Sequence, residues 1–171
     1  MNNKINIILL FLLIILCFSF LFYYTNTLDY NLSKSKISIN NILDIRKENE
    51  NQIIIFHKYL FPKDEYGLGI SIFQKNNGVW STKHDSAEKM NSEITINFAH
   101  LDNNETIIYG YINNISINKI KIIYNDTDEL AEVIDTEWKK IWIHKLMKED
   151  FKIEIFDKNN NYLFDIPLSQ N

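Results

Sequence analysis

GLGISIFQKNNGVW, residues 67–80, places an Asn-Gly pair between two apolar segments. Asn77 and Gly78 both tolerate positive φ angles, which the tight turns of β-hairpins require, and Asn-Gly between apolar runs is the strongest short-range sign of a hairpin. The stretch therefore predicts two antiparallel strands joined by a turn at residues 75–78.

Short apolar runs separated by asparagine-rich breaks continue along most of the chain. In SEITINF, residues 92–98, Ile94, Ile96 and Phe98 share one face of an extended strand, while Thr95 and Asn97 share the other. Such alternation is typical of antiparallel sheets in which one face is covered and one is solvated. The strands predicted in this way are Gln52–Lys58, Gly67–Gln74, Val79–Lys83, Glu93–His100, Thr106–Ile112, Lys119–Tyr124, Leu130–Ile134, Lys140–His144, Phe151–Asp157 and Tyr162–Ile166.

About ten short strands with turns at this spacing predict a mainly β protein built as an antiparallel β-sandwich. We expect the β domain to occupy residues 45–171. It forms either one sandwich or two small units, an amino-terminal sheet ending near His100 and an immunoglobulin-like carboxy-terminal part. The boundary between two such units would lie near residues 101–105, where DNNET is equally typical of a hairpin turn.

The segment from Ile5 to Tyr24 contains no charged residue. About 20 residues of α-helix cross a hydrocarbon core about 30 Å thick, so we predict a transmembrane signal-anchor over residues 1–24. Cys17, the only cysteine, follows Leu16 and precedes further apolar residues, which favours a residue of the span over a lipid attachment site. Cleavage of the segment near residues 25–27 is the alternative.

The short amino-terminal tail is typical of an anchor that leaves the carboxy-terminal part of the chain outside the cytoplasm. We therefore expect a cytoplasmic amino terminus and an extracytoplasmic β domain at the cell membrane. Residues 25–44 have the composition of a polar tether. SINNILDIR, residues 38–46, predicts a short helical turn with Ile39, Ile42 and Ile45 on one side.

Charge and cysteine content exclude two classes of protein. The chain has 18 basic and 22 acidic side chains without a basic cluster, which argues against a nucleic-acid partner. Since no cysteine lies beyond the apolar segment, an intrachain disulfide cannot stabilise the β domain. Burial of apolar side chains must stabilise it.

Four segments carry a resemblance to a group of proteins: GLGISIFQKNNGVW, ETIIYGYINNISINKIKIIYND, EVIDTEWKKIWIH and KIEIFDKNNNYLFDIP. Together they resemble uncharacterised small membrane-anchored exported proteins of bacilli and their relatives. The likeness covers residues 53–167 and consists of a Gly-x-Gly strand, an Asn-Gly-x-Trp hairpin, a Tyr-Gly-x-Ile strand and a closing Asp-x-Asn turn. It implies an anchored β fold and no activity.

Asp157, Asn159 and Asn161 match the first three ligand positions of an EF-hand calcium loop. Tyr162 and Leu168 stand where that loop needs a glycine and a bidentate glutamate. The motif therefore favours a hairpin turn, for which asparagine and aspartate are well suited.

Other patterns point weakly to chemistry. Asp126, Asp128 and Glu129 bring acidic oxygens into one turn, which could bind calcium at millimolar concentration, although a solvated turn is the stronger interpretation. The four histidines are widely spaced and form none of the close pairs typical of zinc sites. Residues 84–86, His-Asp-Ser, are the types of a catalytic triad, but neighbours in one strand are poorly placed to act in sequence. We therefore expect no enzyme activity and no cofactor.

Aromatic side chains are the remaining candidates for a functional surface. Trp138 and Trp142 lie four residues apart and would share a face of one straight strand. Tyr59, Phe61 and Tyr66 lie in a predicted loop ahead of Gly67. Tryptophan and tyrosine are enriched in interfaces, whereas the alternative is that these rings fill the core. The sequence thus predicts a single-pass membrane protein, inserted through residues 5–24, with a non-catalytic role in binding another envelope or membrane protein. A small-ligand or calcium-binding extracellular module is the alternative.

Overall fold

The computed structural model describes residues 2–25, 27–35, 37–63, 65–101 and 105–166. The helices are α1 (Asn2–Thr25) and α2 (Leu28–Lys34), followed by a 3-10 turn at Ile39–Asn41. The strands are β1 (Ile42–Asn49), β2 (Gln52–Phe61), β3 (Glu65–Asn76), β4 (Val79–Lys89), β5 (Asn97–His100), β6 (Thr106–Ile112), β7 (Ile117–Ile123), β8 (Asp128–Leu130), β9 (Glu132–Asp135), β10 (Lys140–Leu146), β11 (Lys152–Asp157) and β12 (Tyr162–Ile166).

The described strands form three antiparallel sheets, so the expected mainly β class is confirmed. The amino-terminal sheet has the order β1-β2-β3-β4, in which every strand pairs with its sequence neighbour. The central sheet has the order β5-β6-β10-β9, and the carboxy-terminal sheet has the order β12-β11-β7-β8. The predicted hairpin at residues 75–78 joins β3 to β4, with positive φ angles at Asn77 and Gly78.

The central sheet is covered on both faces. On one face, Tyr109 and Ile141 pack in a cluster with Ile54, Phe56 and other side chains of the amino-terminal sheet. Its opposite face packs on the carboxy-terminal sheet through a second apolar cluster, whose members include Ile108, Trp142, Ile120 and Ile153. Two apolar layers therefore hold three sheets together without a disulfide.

α2 covers part of the free face of the amino-terminal sheet. Leu28 and Leu32, one helical turn apart, pack with Ile37 against Ile55 and Phe73. Thr27 caps the helix by accepting a hydrogen bond from the backbone N–H of Tyr30 at 3.3 Å. The expectation of a polar tether over residues 25–44 was therefore wrong for residues 28–34, because two leucines at helical spacing give this short segment a packed face.

The helical turn predicted for residues 38–46 is also incorrect over most of its length. Only Ile39–Asn41 forms a 3-10 turn, and β1 begins at Ile42, within the expected tether. Ile42 faces the α2 side of the sheet, Leu43 packs in the cluster on the opposite side, and Ile45 is exposed. The chain extends here because β2 offers an unpaired edge whose hydrogen bonds a single helical turn could not replace.

The change of sheet falls earlier than residues 101–105. β5 and β6 pair directly, with His100 opposite Thr106, and the backbone N–H of Leu101 donates to the Glu105 carbonyl at 2.7 Å. Residues 102–104 lie outside the described residues. The described part of this segment belongs to a hairpin of the central sheet. The chain passes between sheets after Lys89 and before Ile94, which forms a bridge with Ile112 of β6.

Within the described residues, no single helix meets the combined length and hydropathy expected of a membrane span. Phe11–Thr25 and Leu28–Lys34 meet them only when taken together, and their axes differ by 68°.

Candidate interaction surface

The β2–β3 hairpin projects aromatic and apolar side chains at the end of the amino-terminal sheet. Tyr59, Leu60 and Tyr66 have exposed fractions of 43%, 52% and 54%. Tyr59 pairs with Gly67 and Leu60 with Tyr66, so the strand ladder continues to the end of the hairpin. We call the described part of residues 58–66, with Trp138 beside it, the aromatic tip.

One side of the aromatic tip is built around Trp138, which lies in the β9–β10 connection. Its ring meets that of Tyr66 edge-on, with centroids 6.5 Å apart. The ammonium of Lys58 lies 5.6 Å from the centroid of the same tryptophan ring, which is within range of a cation–π interaction. The connection from the central sheet thus supports this side of the hairpin.

The opposite side carries Tyr59 and Phe61, whose ring centroids are 4.8 Å apart. Phe61 lies across Gly67, where a Cβ atom would come within 2.6 Å of the phenylalanine ring and 2.2 Å of the Glu88 carbonyl oxygen. Glycine is therefore required at position 67 for the Phe61 ring to approach the strand backbone this closely. Lys89 Nζ is 5.6 Å from the Phe61 centroid.

Trp142 does not belong to this surface, contrary to the sequence expectation. It is fully buried, and its Nε1–H donates to the Thr95 carbonyl oxygen at 3.0 Å. A Cβ atom on Gly110 would lie 2.7 Å from Trp142 Nε1, so this glycine makes room for the indole. Trp138 precedes β10, which begins at Lys140, and the period-two rule therefore does not place the two tryptophans on one face.

A line of polar side chains crosses the amino-terminal sheet beside the aromatic tip. His57 Nε2 lies 3.2 Å from Ser71 Oγ, and Ser71 Oγ donates to Asp85 Oδ1 at 2.7 Å. Because the hydroxyl proton goes to the carboxylate, Ser71 Oγ can only accept a hydrogen bond from the imidazole and has no proton to donate to it. A serine nucleophile needs the reverse arrangement, in which the histidine accepts the serine proton.

Burial lowers the pKa of His57 below its usual value, and the Lys58 carbonyl and the charge of Asp85 oppose this effect. The predicted triad types at 84–86 are divided between the two faces of the sheet. His84 Nε2 lies 3.1 Å from Ser86 Oγ, which lies 3.0 Å from Tyr109 Oη between the sheets, whereas Asp85 joins Ser71 on the other face. Alternation along β4 therefore separates the acid from the histidine beside it.

The acidic side chains suggested for calcium binding have other partners. Asp126 pairs with Lys148, Asp128 pairs with Lys121, and Glu129 lies 3.3 Å from His144 Nε2. The ammonium groups of Lys148 and Lys121 and the imidazole of His144 occupy the oxygens that a calcium site would use. Among the described residues, no three His, Cys, Asp or Glu side chains lie close enough to hold a metal ion.

Asp157 caps a turn instead of lining a metal loop. Its Oδ1 accepts hydrogen bonds from the backbone N–H groups of Asn159 and Asn161, both at 2.8 Å. Asn160 adopts a φ of 62°, and the turn joins β11 to β12. The hairpin interpretation of this motif is therefore correct.

Sequence reasoning named four side chains of the aromatic tip but missed Leu60 and Lys58 beside them, and it also missed the His57–Ser71–Asp85 line. The available signal was the alternation of side chains from Ile53 to Phe61. It would have placed His57, Tyr59 and Phe61 on one face of a longer strand.

Comparisons with protein-family models, with curated proteins and with solved structures found no match to this chain.

Proposed function

We propose that this chain is a single-pass membrane protein whose β domain lies outside the cytoplasm and binds another envelope protein. The apolar segment from Ile5 to Tyr24 falls entirely within α1, and the large apolar side chains from Phe11 to Tyr24 are exposed. A helix with so much exposed apolar surface is well suited to a lipid environment. The resemblance to anchored exported proteins is consistent with this proposal.

The carboxy-terminal part is best described as an immunoglobulin-like sandwich. If β5 to β12 are lettered A, B, C, C′, D, E, F and G, the central sheet has the order A-B-E-D and the carboxy-terminal sheet the order G-F-C-C′. The order A-B-E-D on one sheet and C-F-G on the other is that of immunoglobulin domains. This likeness in fold does not indicate a function. A function has to be argued from the side chains of a particular surface.

The aromatic tip is the surface that supports a docking role. The observation that supports this role is the exposure of the Tyr59, Leu60 and Tyr66 side chains at the end of a hairpin. The turn at Asn77 and Gly78 lies next to α1. β3 has 12 residues, so the aromatic tip at the other end of this strand is roughly 40 Å from the turn. A partner could therefore reach the tip without approaching the anchor.

The test compares tagged full-length chains purified from gently solubilised membranes, with quantitative mass spectrometry of the proteins retained. Tyr59→Ser with Tyr66→Ser removes the exposed rings of the tip. Tyr162→Ser with Leu163→Ser on β12 is the matched control, since these side chains have exposed fractions of 53% and 38%. We expect a partner whose recovery falls about tenfold or more in the tip variant and stays unchanged in the control. Equal recovery with both variants would contradict docking at the tip.

Orientation is tested separately by adding protease to intact cells. We expect removal of the β domain, because the exposed loops of an extracytoplasmic domain are accessible to the enzyme. Full protection of the domain in intact cells, together with digestion after lysis, would contradict the proposed orientation.

A further inference from the structure

A cleft of about 800 Å³ separates α1 from the β3–β4 turn. Phe18 and Phe22 of α1 lie on one wall, one helical turn apart, and both are exposed. Lys75, Asn77 and Trp80 of the hairpin lie on the other wall. The cleft therefore combines apolar side chains on both walls with polar and cationic groups on the hairpin wall.

The charge of the cleft is one-sided. Lys75 is the only charged residue among the described residues that line it. Its ammonium lies 5.9 Å from the centroid of Trp80, so the cation and the indole form a single platform. Such a platform favours an anionic group placed beside an apolar chain.

The packing of α2 holds the two walls in place. Leu28 and Leu32 pack together with Trp80 in the cluster that includes Phe73, and Ser35 Oγ lies 3.1 Å from Thr82 Oγ1 of β4. The ring of Tyr24 at the end of α1 meets that of Tyr30 in α2 edge-on, with centroids 5.6 Å apart. The anchor is thus coupled to the sheet by contacts on both sides of residue 26.

We propose that this cleft binds an anionic phospholipid of the anchoring membrane, with an acyl chain on Phe18 and Phe22 and the headgroup phosphate at Lys75. The inference rests on the proposed anchoring through α1. The cleft is continuous with the exposed apolar surface of α1, so lipid is the molecule that reaches it. Tryptophan, tyrosine and lysine are also the residues that settle at the headgroup level of a bilayer.

Lipid binding at this position would orient the β domain. The β3–β4 turn would lie in the headgroup region, and the aromatic tip, at the other end of β3, would face away from the membrane. The cleft therefore links lipid recognition to the presentation of the docking surface.

The experiment uses the full chain in vesicles made of equal amounts of phosphatidylcholine and phosphatidylglycerol, with bromine on the acyl chains of one lipid or the other. Bromine quenches a tryptophan that it contacts. The signal of Trp80 is the difference between the chain and its Trp80→Phe variant, because Trp142 is buried and Trp138 lies at the aromatic tip. Flotation of the vesicles on a density gradient reports separately whether α1 has inserted.

We expect brominated phosphatidylglycerol to quench Trp80 about twofold more strongly than brominated phosphatidylcholine, since the anionic headgroup is drawn to Lys75. Lys75→Gln should abolish this difference, whereas Lys158→Gln, in the exposed β11–β12 turn, should preserve it. Equal quenching by both lipids, or a difference that survives Lys75→Gln, would overturn the inference. If the chain floats with the vesicles and Trp80 is not quenched, the lipid site fails and the anchor stands. A chain that does not float overturns both.

Discussion

The central sheet and the amino-terminal sheet are built from similar strands but are covered differently. Both faces of the central sheet are packed, and β6, TIIYGYI, is correspondingly an almost continuous apolar run. The free face of the amino-terminal sheet is covered by α2 over only part of its length. Along β2 this face carries Ile55 beneath the helix, then buried His57, then exposed Tyr59. The uncovered end of a sheet is therefore where side chains remain available for a partner.

The largest expected effect on stability is the difference between Trp142 and Trp138, which the sequence predicted to share one face. Trp142→Ala should lower the free energy of unfolding by about 3–5 kcal/mol, since it empties a packed site and leaves the Thr95 carbonyl without its donor. Trp138→Ala should cost less than about 1 kcal/mol, because its ring lies partly at the surface. Urea denaturation of the detergent-solubilised chain, followed by circular dichroism, measures both.

Trp142→Phe provides a milder version of the same test if the alanine variant does not fold. It keeps an aromatic ring in the core but removes the Nε1–H donor to Thr95, and we expect a loss of about 1–3 kcal/mol. Equal losses at positions 138 and 142 would mean that the central sheet is no better packed than the aromatic tip.

A smaller effect should distinguish the covered and uncovered ends of the amino-terminal sheet. Leu32→Ala removes a side chain that α2 packs against the sheet, and it should lower the free energy of unfolding by about 1–2 kcal/mol. This loss is smaller than that expected for a fully buried leucine, because Leu32 is partly exposed. Leu60→Ala, at the exposed tip, should change stability by less than about 0.5 kcal/mol. Thermal or urea unfolding of the two variants side by side gives the comparison. A greater loss for Leu60 than for Leu32 would show that the tip, and not the helix, stabilises the sheet.

Sequence patterns predicted the paired strands well and the covering elements poorly. Residues 106–112 and 162–166 form strands with the limits that alternation and turn residues indicated. β1 and α2 were missed because neither has a strong local signal. β1 is stabilised by pairing with the edge strand β2, and α2 is stabilised by packing on the face of the sheet. Trp142 was misassigned for the same reason, since burial of an aromatic ring depends on a second sheet that its own strand does not encode. Four of the five aromatic residues chosen for the interaction surface do lie at the tip, because they fall at the ends of elements.

The polar line on the free face should make stability depend on pH. Burial depresses the pKa of His57 in the folded state, so the unfolded chain binds a proton more readily than the folded chain. Stability is therefore fully present above the unfolded pKa, about 6.5, and is lost as the pH falls below it. The Lys58 carbonyl and Asp85 limit the loss, since the carbonyl oxygen and the carboxylate both favour the charged imidazole.

Unfolding measured between pH 5 and 7.5 tests this effect. His57→Gln should flatten the dependence of the free energy of unfolding on pH, because it removes the buried imidazole whose pKa is lowered. His144, whose pKa burial also lowers, should account for part of the slope that remains. An unchanged slope in His57→Gln would place the pH dependence elsewhere in the chain.

A small effect is also expected for the ion pair that joins the amino-terminal sheet to the central sheet. Arg46 of β1 binds both carboxylate oxygens of Glu132 in β9, and its Nε lies 3.1 Å from Asp44. The Arg46 and Glu132 side chains are 23% and 60% exposed, so water and salt weaken the attraction, and a double-mutant cycle with Arg46→Gln and Glu132→Gln should give a coupling of about 0.5 kcal/mol. That coupling should shrink as salt is added. The apolar layer around Phe56 and Tyr109 would then account for nearly all of the attachment between the sheets. A coupling of several kcal/mol that persists in high salt would instead show that this ion pair is the main interaction that stabilises the packing of the amino-terminal sheet on the central sheet.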